Sequence, residues 1–281
     1  MKRNKNKNRL KNPGSGILTV LASIWVAVDL VPIYLVVTWV FSDNSRNLLR
    51  TYFPNSVSAA IEHLTYVFNN CNIPEALKDT FIYTVIAIAI MLITASLAAY
   101  EFKFYDFPLK KLLFSVVMVS MMMPFVLYVI PLYRFVYNLG LADTYLGVAG
   151  AFMVSPLSVF ILIQFSDSIP NGLVESARID GAGHFQVYFH IVLPLMRNGL
   201  IVSSILLFLR VWGSYLWPKL VSATNVTAIS ATITNLIGPN FYVDARIKVA
   251  AMLVAMLPPL IVYLVFQKKV IAGIAMSGIK G

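Results

Sequence analysis

Few side chains in this 281-residue sequence have the types and spacing that chemistry needs. Cys71 is the single cysteine, so an intramolecular disulfide is excluded, and His184 and His190 lie six residues apart, which does not suit a metal site on one helix face. No segment matches the G-x-x-x-x-G-K-[ST] pattern that cradles a nucleotide phosphate, and no H-E-x-x-H arrangement occurs. We therefore predict no catalytic residue, no bound cofactor and no metal in this chain.

The remaining candidates are charged residues inside apolar segments. Hydrophobic residues make up 59% of the chain and charged residues 12%, which is typical of an integral membrane protein. Asp29, Arg134 and Arg210 fall within such segments. A cation at mid-membrane costs about 2.5–3.5 kcal/mol, so it needs a partner or a water-filled cavity. Two interpretations stay open: Asp29 and Arg210 form a structural ion pair, or Arg210, with Arg134, faces a translocation cavity and meets an acidic or highly hydroxylated solute.

The elements that position these residues are predicted to be membrane helices, in an all-α fold with six spans. The apolar segments run over 17–41, 80–102, 111–137, 145–165, 195–217 and 249–266. Each is near the roughly 20 residues that a bilayer requires. Pro124 and Pro131 are expected to kink the third span. A disordered basic tail (1–16), a polar extracytoplasmic loop (42–79), a core of five spans (80–269) and a C-terminal tail (270–281) complete the predicted organisation.

The distribution of Lys and Arg predicts the orientation. With both termini in the cytoplasm, 14 of the 22 Lys and Arg residues lie in cytoplasmic segments and 6 lie outside. This asymmetry follows the positive-inside rule. It also accounts for the net charge of +10 without a nucleic-acid partner, while leaving an attraction to anionic membrane lipid.

The segment "GLVESARIDGAGHFQVYFHIVLP", residues 172–194, is polar and lies between apolar spans. We predict that Asn171 caps a helix over 172–179 and that Gly181 follows its end in the left-handed conformation. Phe185, Tyr188 and Phe189, at spacings of three and four, predict a second short helix with one apolar face. The segment is either an ordinary connector or a docking element for a soluble partner, which the small Ala177 would allow to approach closely.

The residues "ESARIDGA" followed by "IVLPL" resemble the EAA motif of ABC importer permeases, with Ser176 in place of the usual second Ala and Asn198 in place of a common Pro. In that family the loop, here 167–194, is a coupling helix that docks on a cytoplasmic ATPase. The resemblance assigns ATPase coupling to motif residues of this segment. They are Glu175, Ser176, Ala177, Asp180, Gly181, Ala182 and Pro194, with Ile191 and Leu193 also on the motif.

Other segments carry the resemblance over roughly residues 75–281. They are "SLAAYEFKFYDFPLKKLLF", "MMMPFVLYVIPLY" with "LGLADTYLGV", "RVWGSYLWPKL" and "VIAGIAMSGIKG". They are similar to carbohydrate-importer permeases, in particular the second permease of maltose-type importers, and imply a type I ABC importer permease fold. The resemblance implies a heterodimer with a second permease, two copies of a P-loop ATPase that binds ATP and Mg, an extracytoplasmic binding protein and a saccharide substrate, in a prokaryotic plasma membrane.

The aromatic residues Trp212, Tyr215 and Trp217 have two interpretations. They form an interfacial belt, or they stack on sugar rings in the translocation path. Where the family usually has Asn and then an acidic residue, this chain has Gly213 and Ser214, so a polar contact in the path is absent or comes from the sister permease. The loop 222–244, with Asn225, Asn235 and Asn240, is a solvated connector or, as in relatives, a contact for the binding protein.

Three other functions compete with the oligosaccharide importer. An ABC importer for another solute, such as a glycerol phosphate diester, would share every coupling feature. An ion-coupled secondary carrier would rely on Asp29 and need no ATPase. A membrane-embedded enzyme would need a catalytic constellation that the sequence does not contain.

Overall fold

The computed structural model describes residues 13–43, 51–238 and 242–278, and within these ranges its regular structure is helical throughout. Four predicted features fall partly outside the described residues: the basic tail at 1–12, the loop 42–79 at 44–50, the loop 222–244 at 239–241, which includes Asn240, and the C-terminal tail at 279–281. The all-α prediction is confirmed for the described part of the chain.

The described residues form fourteen α-helices and one π-helical turn. They are α1 (Pro13–Val40), α2 (Val57–Asn70), α3 (Ile73–Phe104), α4 (Lys110–Met122), α5 (Phe125–Asn138), α6 (Tyr145–Gly150), α7 (Pro156–Ser166), α8 (Asn171–Ile179), α9 (His184–Val187), a π-helical turn (Tyr188–Val192), α10 (Leu193–Leu195), α11 (Arg197–Trp212), α12 (Leu216–Val221), α13 (Ile229–Ile237) and α14 (Ala245–Gly278).

Three helices, α1, α3 and α14, are each long and apolar enough to cross a membrane alone. Three further crossings are available if bent pairs act as single spans: α4 with α5, bent by 104°, α7 with α8, bent by 80°, and 184–195 with α11, bent by 72°. By length and composition the described residues therefore supply three to six spans. The predicted number, six, is the upper end of this range, but the predicted fourth span, 145–165, covers α6 and α7 rather than α7 with α8.

Several predicted spans are broken where a continuous helix was expected. The third span bends at Pro124, which lacks an amide hydrogen, whereas α5 continues through Pro131. The fourth is interrupted after Gly150, and α7 begins only at Pro156, since a residue before proline disfavours the helical conformation. The fifth ends at Trp212 rather than continuing to Trp217. The predicted loop 42–79 contains α2 and the start of α3.

The chain separates into two compact units. The first comprises residues up to Val67 together with Val243–Leu253. Within it, the buried Arg246 donates a hydrogen bond through Nε to Ser42 Oγ at 3.0 Å, and its carboxylate neighbour Asp244 lies 3.4 Å away. His63 Nδ1 lies 3.0 Å from the carbonyl oxygen of Val40, which joins α2 to the end of α1.

The second unit, Phe68–Tyr242 and Val254–Gly281, is built around α3. Its buried face repeats small or flexible residues every four positions, at Ala87, Met91, Ala95 and Ala99. Small side chains let neighbouring helices approach closely where lipid leaves no hydrophobic driving force between them. Helices α6, α7, α11 and α13 all pack against α3, so a movement of α3 would be felt by most of this unit.

Gly147 marks one place where two segments approach too closely for a side chain. A Cβ atom there would overlap the carbonyl oxygen of Leu141, a backbone atom that cannot rotate away. We expect Gly147→Ala to destabilise the protein by about 1–3 kcal/mol, the usual cost of overpacking. The thermal unfolding midpoint of the purified protein measures this. Gly172→Ala, at a position with open space around it, is the matched control, and equal midpoints for the two variants would contradict the prediction.

Candidate functional site

Helix α8 begins and ends sharply, and its two ends differ from each other. The prediction that Asn171 caps it is wrong, because Pro170 holds the N-cap position and Asn171 is the first helical residue, with no side-chain cap. Its other end has the predicted form. Gly181 has φ of 86°, its N–H donates to the Arg178 carbonyl at 3.0 Å, and the Ala182 N–H donates to the Ala177 carbonyl at 2.9 Å. This pair of bonds is the Schellman motif, which requires a left-handed residue at Gly181.

The side chains of α8 are almost all exposed. Val174 is the one buried residue of the helix, whereas Glu175, Ser176 and Asp180 are exposed and the apolar Ile179 is 86% exposed. Ala177 and Ala182 are half-buried against the core of the second unit, so Ala177 allows α8 to lie close to its own chain rather than to an outside surface. Helix α8 thus presents one long face, including Ile179, that the described residues do not cover.

A cluster of aromatic and charged residues holds α8 and α9 against the end of α3. The guanidinium of Arg178 lies 4.1 Å above the ring of Tyr105, a cation–π contact. The hydroxyls of Tyr100 and Tyr105 are 2.7 Å apart, and the Tyr100 hydroxyl also donates to the carbonyl oxygen of His184 at 3.2 Å. His184 Nε2 lies 2.6 Å from Glu101 Oε1. We call these five residues the α3 anchor.

The segment after α9 is held from the same side. Tyr188, buried in the π-helical turn, shares a hydrogen bond of 2.7 Å with Ser96 on α3. Met196 is fully buried at the bend that leads into α11. The predicted second helix with Tyr188 on its packed face is therefore present, although Phe185 and Phe189 are exposed. Pro194 is exposed within α10.

Sequence reasoning missed the α3 anchor. The string "AYEFKFY" resembles other permeases, but no local pattern indicates that its tyrosines meet residues about 80 positions later. Beside the anchor is a cavity of about 210 Å³, lined by Lys103, Lys110, Asn171, Glu175 and others. Its lysines are paired, since Lys103 Nζ lies 2.9 Å from Asp167 and Lys110 Nζ lies 3.1 Å from Asp106. The local charge is thus largely balanced.

The residues predicted for the translocation path are scattered. Arg210 lines a cavity of about 740 Å³, although it lies in the last turn of α11 rather than mid-span as expected. Arg134 is exposed on α5 and does not line this cavity, and Tyr215 is 40% exposed. Asp29 is exposed on α1 in the first compact unit, whereas Arg210 belongs to the second unit. An ion pair between the two therefore stays a prediction.

The expectation that Trp212 and Trp217 line a path or form an interfacial belt is wrong. Trp217 is fully buried, with its Nε1 donating to the Val148 carbonyl at 2.9 Å and its ring edge-on to Phe125. Trp212 is 5% exposed, stacks on Phe208 and donates to the Ala255 carbonyl at 3.0 Å. A partner subunit can only bury them further. Both rings are packing groups, because each finds a carbonyl acceptor for its one polar atom.

Two carboxylates, those of Asp143 and Asp79, accept hydrogen bonds from the loop at 223–227. Sequence reasoning missed both. Asp143, with φ of 57°, accepts hydrogen bonds from the backbone N–H groups of Ala223, Thr224, Asn225 and Val226 at 2.7–3.2 Å, and from the Thr224 hydroxyl. The next residue, Thr227, donates its N–H at 2.9 Å to the buried Asp79, which also accepts from the Tyr145 hydroxyl at 2.8 Å. We call residues 223–227, held in this way, the clasped loop.

The comparisons with known proteins decide the family. Residues 91–275 match the family described as "Binding-protein-dependent transport system inner membrane component". The chain belongs to this family. The match covers both the α8 segment and the clasped loop, and it confirms the resemblance to ABC importer permeases that the EAA-like residues carried.

The relatives of this permease include transporters for different solutes. It is 30% identical over 79% of its length to the arabinooligosaccharides transport system permease protein AraQ of Bacillus subtilis, which is matched over 79% of its own length. It is 33% identical to the sn-glycerol-3-phosphate transport system permease protein UgpE of Rhizobium meliloti, and the match covers 79% of this chain and 78% of the relative. A probable ABC transporter permease protein of Pyrococcus horikoshii is 34% identical, and the match covers 72% of this chain and 74% of the relative.

The fold is shared with solved importers. The permease superimposes on a chain of a bacterial ABC transporter involved in the import of the acidic polysaccharide alginate with a TM-score of 0.78, covering 92% of this chain and 97% of that one at 19% identity. The inward-facing MetNI methionine ABC transporter gives a TM-score of 0.53 at 17% identity, with 72% and 94% covered. At these identities the likeness establishes the fold alone, which is the fold of these importer chains.

Proposed function

We propose that this permease forms half of the membrane pathway of a binding-protein-dependent ABC importer for an oligosaccharide and couples it to ATP hydrolysis by a separate ATPase. The observation that carries the proposal is helix α8: an exposed helix with one uncovered face, fastened from behind to the end of α3 by the α3 anchor. A helix that is exposed in front and fixed behind suits the transmission of force from an outside partner.

The anchor defines how such a force would travel. A partner that moves α8 pulls on Arg178, whose guanidinium lies over Tyr105, and on the segment that begins at His184, which is bonded to Glu101. Tyr105 and Glu101 lie at the end of α3, which packs against α6, α7, α11 and α13. Movement of α8 is thereby converted into movement of α3 and the helices around it, which would open or close a cavity shared with a second permease.

The partners follow from this role. A P-loop ATPase, present in two copies with ATP and Mg, would dock on Glu175, Ser176, Asp180 and Gly181, so that α8 and both termini face the cytoplasm. The second permease would complete the pathway. An extracytoplasmic binding protein would deliver the solute to the opposite face, where we place the clasped loop.

The solute is proposed to be a saccharide because AraQ, an arabinooligosaccharide permease by name, is among the relatives and a polysaccharide importer shares the fold. A glycerol phosphate is the second candidate, since a permease for sn-glycerol 3-phosphate is 33% identical. Both candidates are rich in hydroxyl groups, and only the cavity and the binding protein would distinguish them.

Isolation of the complex tests the proposal. The chain, tagged at its N-terminus, is extracted gently from its native membrane, and its companions and ATPase activity are measured. We expect a second permease and a P-loop ATPase to co-purify, and the reconstituted complex to take up a saccharide only with ATP and the binding protein. Isolation of the chain alone or as a homo-oligomer, from a detergent that preserves such complexes, would refute the importer function.

A further inference from the structure

One cavity of the second unit lies where two helical segments are interrupted. Its volume is about 740 Å³, within the 300–1,000 Å³ typical of small-molecule sites. One wall comes from the bend between α4 and α5, and the other from the break at 150–157 between α6 and α7. Arg210, in the last turn of α11, completes the lining. Interrupted membrane helices are common at the solute sites of transporters, because side chains and backbone there meet water instead of lipid.

Among the described residues that line the cavity, Arg210 is the one that carries a charge, and the others are apolar or neutral. No described Asp or Glu lines the cavity, and no ion pair or hydrogen bond joins the Arg210 side chain to another described residue. An arginine without a counter-ion is costly in a membrane segment unless it meets water or an anion. Its planar guanidinium is suited to a two-point contact with a carboxylate or a phosphate.

The same lining includes groups that suit a sugar. Tyr128 and Phe125, both half-buried, line the cavity with their ring centroids 5.1 Å apart and their planes at 83°. The Tyr128 hydroxyl has no hydrogen-bond partner among the described residues. The Ser120 hydroxyl, which also lines the cavity, donates to the Val117 carbonyl oxygen. A free phenol and an apolar aromatic surface complement the hydroxyl groups and the C–H face of a pyranose ring.

We propose that this cavity binds an anionic saccharide, with Arg210 pairing with its carboxylate or phosphate and with Tyr128 and Phe125 contacting the sugar ring. This inference rests on the proposed importer function and narrows its substrate class. The same anionic chemistry could come from a lipid headgroup, so the test separates the two sources.

The test uses the complete importer, with its second permease, ATPase and binding protein, reconstituted in liposomes. The probes are digalacturonic acid and the neutral disaccharide galactobiose, supplied to the binding protein. We expect the wild type to favour the acidic probe, and Arg210→Gln to lower the rate of its ATP-dependent uptake at least ~10-fold, the loss expected for a charge-assisted contact. Lys111→Gln, which removes the same charge from an exposed site on α4, is the matched control and should leave uptake unchanged.

Arg210→Met is a second variant, used in case Arg210→Gln does not assemble with its partners. It replaces the charged side chain by an apolar side chain, which is tolerated in a membrane segment. It should also lower the ratio of acidic to neutral uptake. Uptake of galactobiose alone, or an unchanged ratio in both Arg210 variants, would overturn the anionic site while leaving the importer function intact. A dependence of the Arg210 effect on anionic lipid rather than on the charge of the probe would assign the site to a headgroup and also overturn it. Absence of the second permease and the ATPase from the isolated complex would overturn both the site and the importer function.

Discussion

Replacement of Gly181 by valine is expected to lower ATP-dependent uptake at least ~10-fold while the protein still inserts and its partner ATPase still hydrolyses ATP. Gly181 has φ of 86°, a conformation that costs an L-residue roughly 1–2 kcal/mol and is least tolerated by a β-branched side chain. Since about 1.4 kcal/mol is a factor of ten in an equilibrium, this strain is enough to depopulate the Schellman end of α8. The effect would come from the backbone alone, because a Cβ at Gly181 meets no atom within 4 Å.

Gly181→Asn separates backbone strain from a steric clash with a partner. Asparagine adds a side chain of similar size but enters the left-handed region more readily than other non-glycine residues. We expect this variant to keep most of the uptake. Uptake and ATP hydrolysis are measured on the same reconstituted samples, so that their ratio reports coupling. If Val and Asn were equally damaging, contact with the partner rather than the conformation of Gly181 would be decisive, and normal coupling in Gly181→Val would contradict the role of α8.

The second large effect is expected at Asp143, which accepts five hydrogen bonds from residues 223–226. Asp143→Asn places an amide NH₂ against backbone N–H donors, so two of these contacts become donor against donor. We expect the free energy of unfolding to fall by about 3 kcal/mol, since hydrogen bonds to a charged acceptor contribute about 1.5–3 kcal/mol each. The clasped loop should also be cut faster by a protease. Asp106→Asn, at an exposed carboxylate, is the control and should change neither measurement.

The pH dependence of the clasp follows from the same bonds. Partial burial raises the pKa of Asp143. Hydrogen bonds from four backbone N–H groups lower it by more, so the pKa lies well below the usual value of 3.8. A carboxyl whose pKa is depressed on folding stabilises the protein above its unfolded pKa, and this contribution is lost as the pH falls through the folded value. The difference in stability between wild type and Asp143→Asn should therefore be constant from pH 8 to 5 and shrink only below about pH 4. A difference that vanished between pH 7 and 5 would show that the carboxylate is not held in this way.

The break between α6 and α7 shows how far local pattern predicts this fold. Residues 145–165 are apolar almost throughout, and hydropathy therefore predicts one span. The structure interrupts it at 151–155, where Ser155 accepts a hydrogen bond from the Ser158 N–H and Pro156 starts a new helix. Hydropathy does not predict this break, because an apolar segment can be either a continuous or a broken helix.

The tryptophans illustrate the opposite case, in which the sequence offered two interpretations and both failed. Trp212 and Trp217 occur near the predicted end of a span, where belts and sugar-stacking platforms are both common. Their burial depends on carbonyl groups of Val148 and Ala255, which are 69 and 43 residues away. No spacing within the segment indicates those acceptors.

The sequence by itself determined the features that depend on neighbours within a few residues: the helical class, the candidate spans, and the left-handed end of α8 at Gly181. Each follows from local hydrogen bonds or from transfer of one segment into lipid. Only the tertiary structure decided the α3 anchor, the clasped loop and the surroundings of Arg210. Glu101 and His184 lie 83 residues apart, and Asp143 and Thr224 lie 81 apart. Such contacts depend on how helices pack in three dimensions, and a pattern of residue types along one segment carries no information about which distant segment will lie beside it.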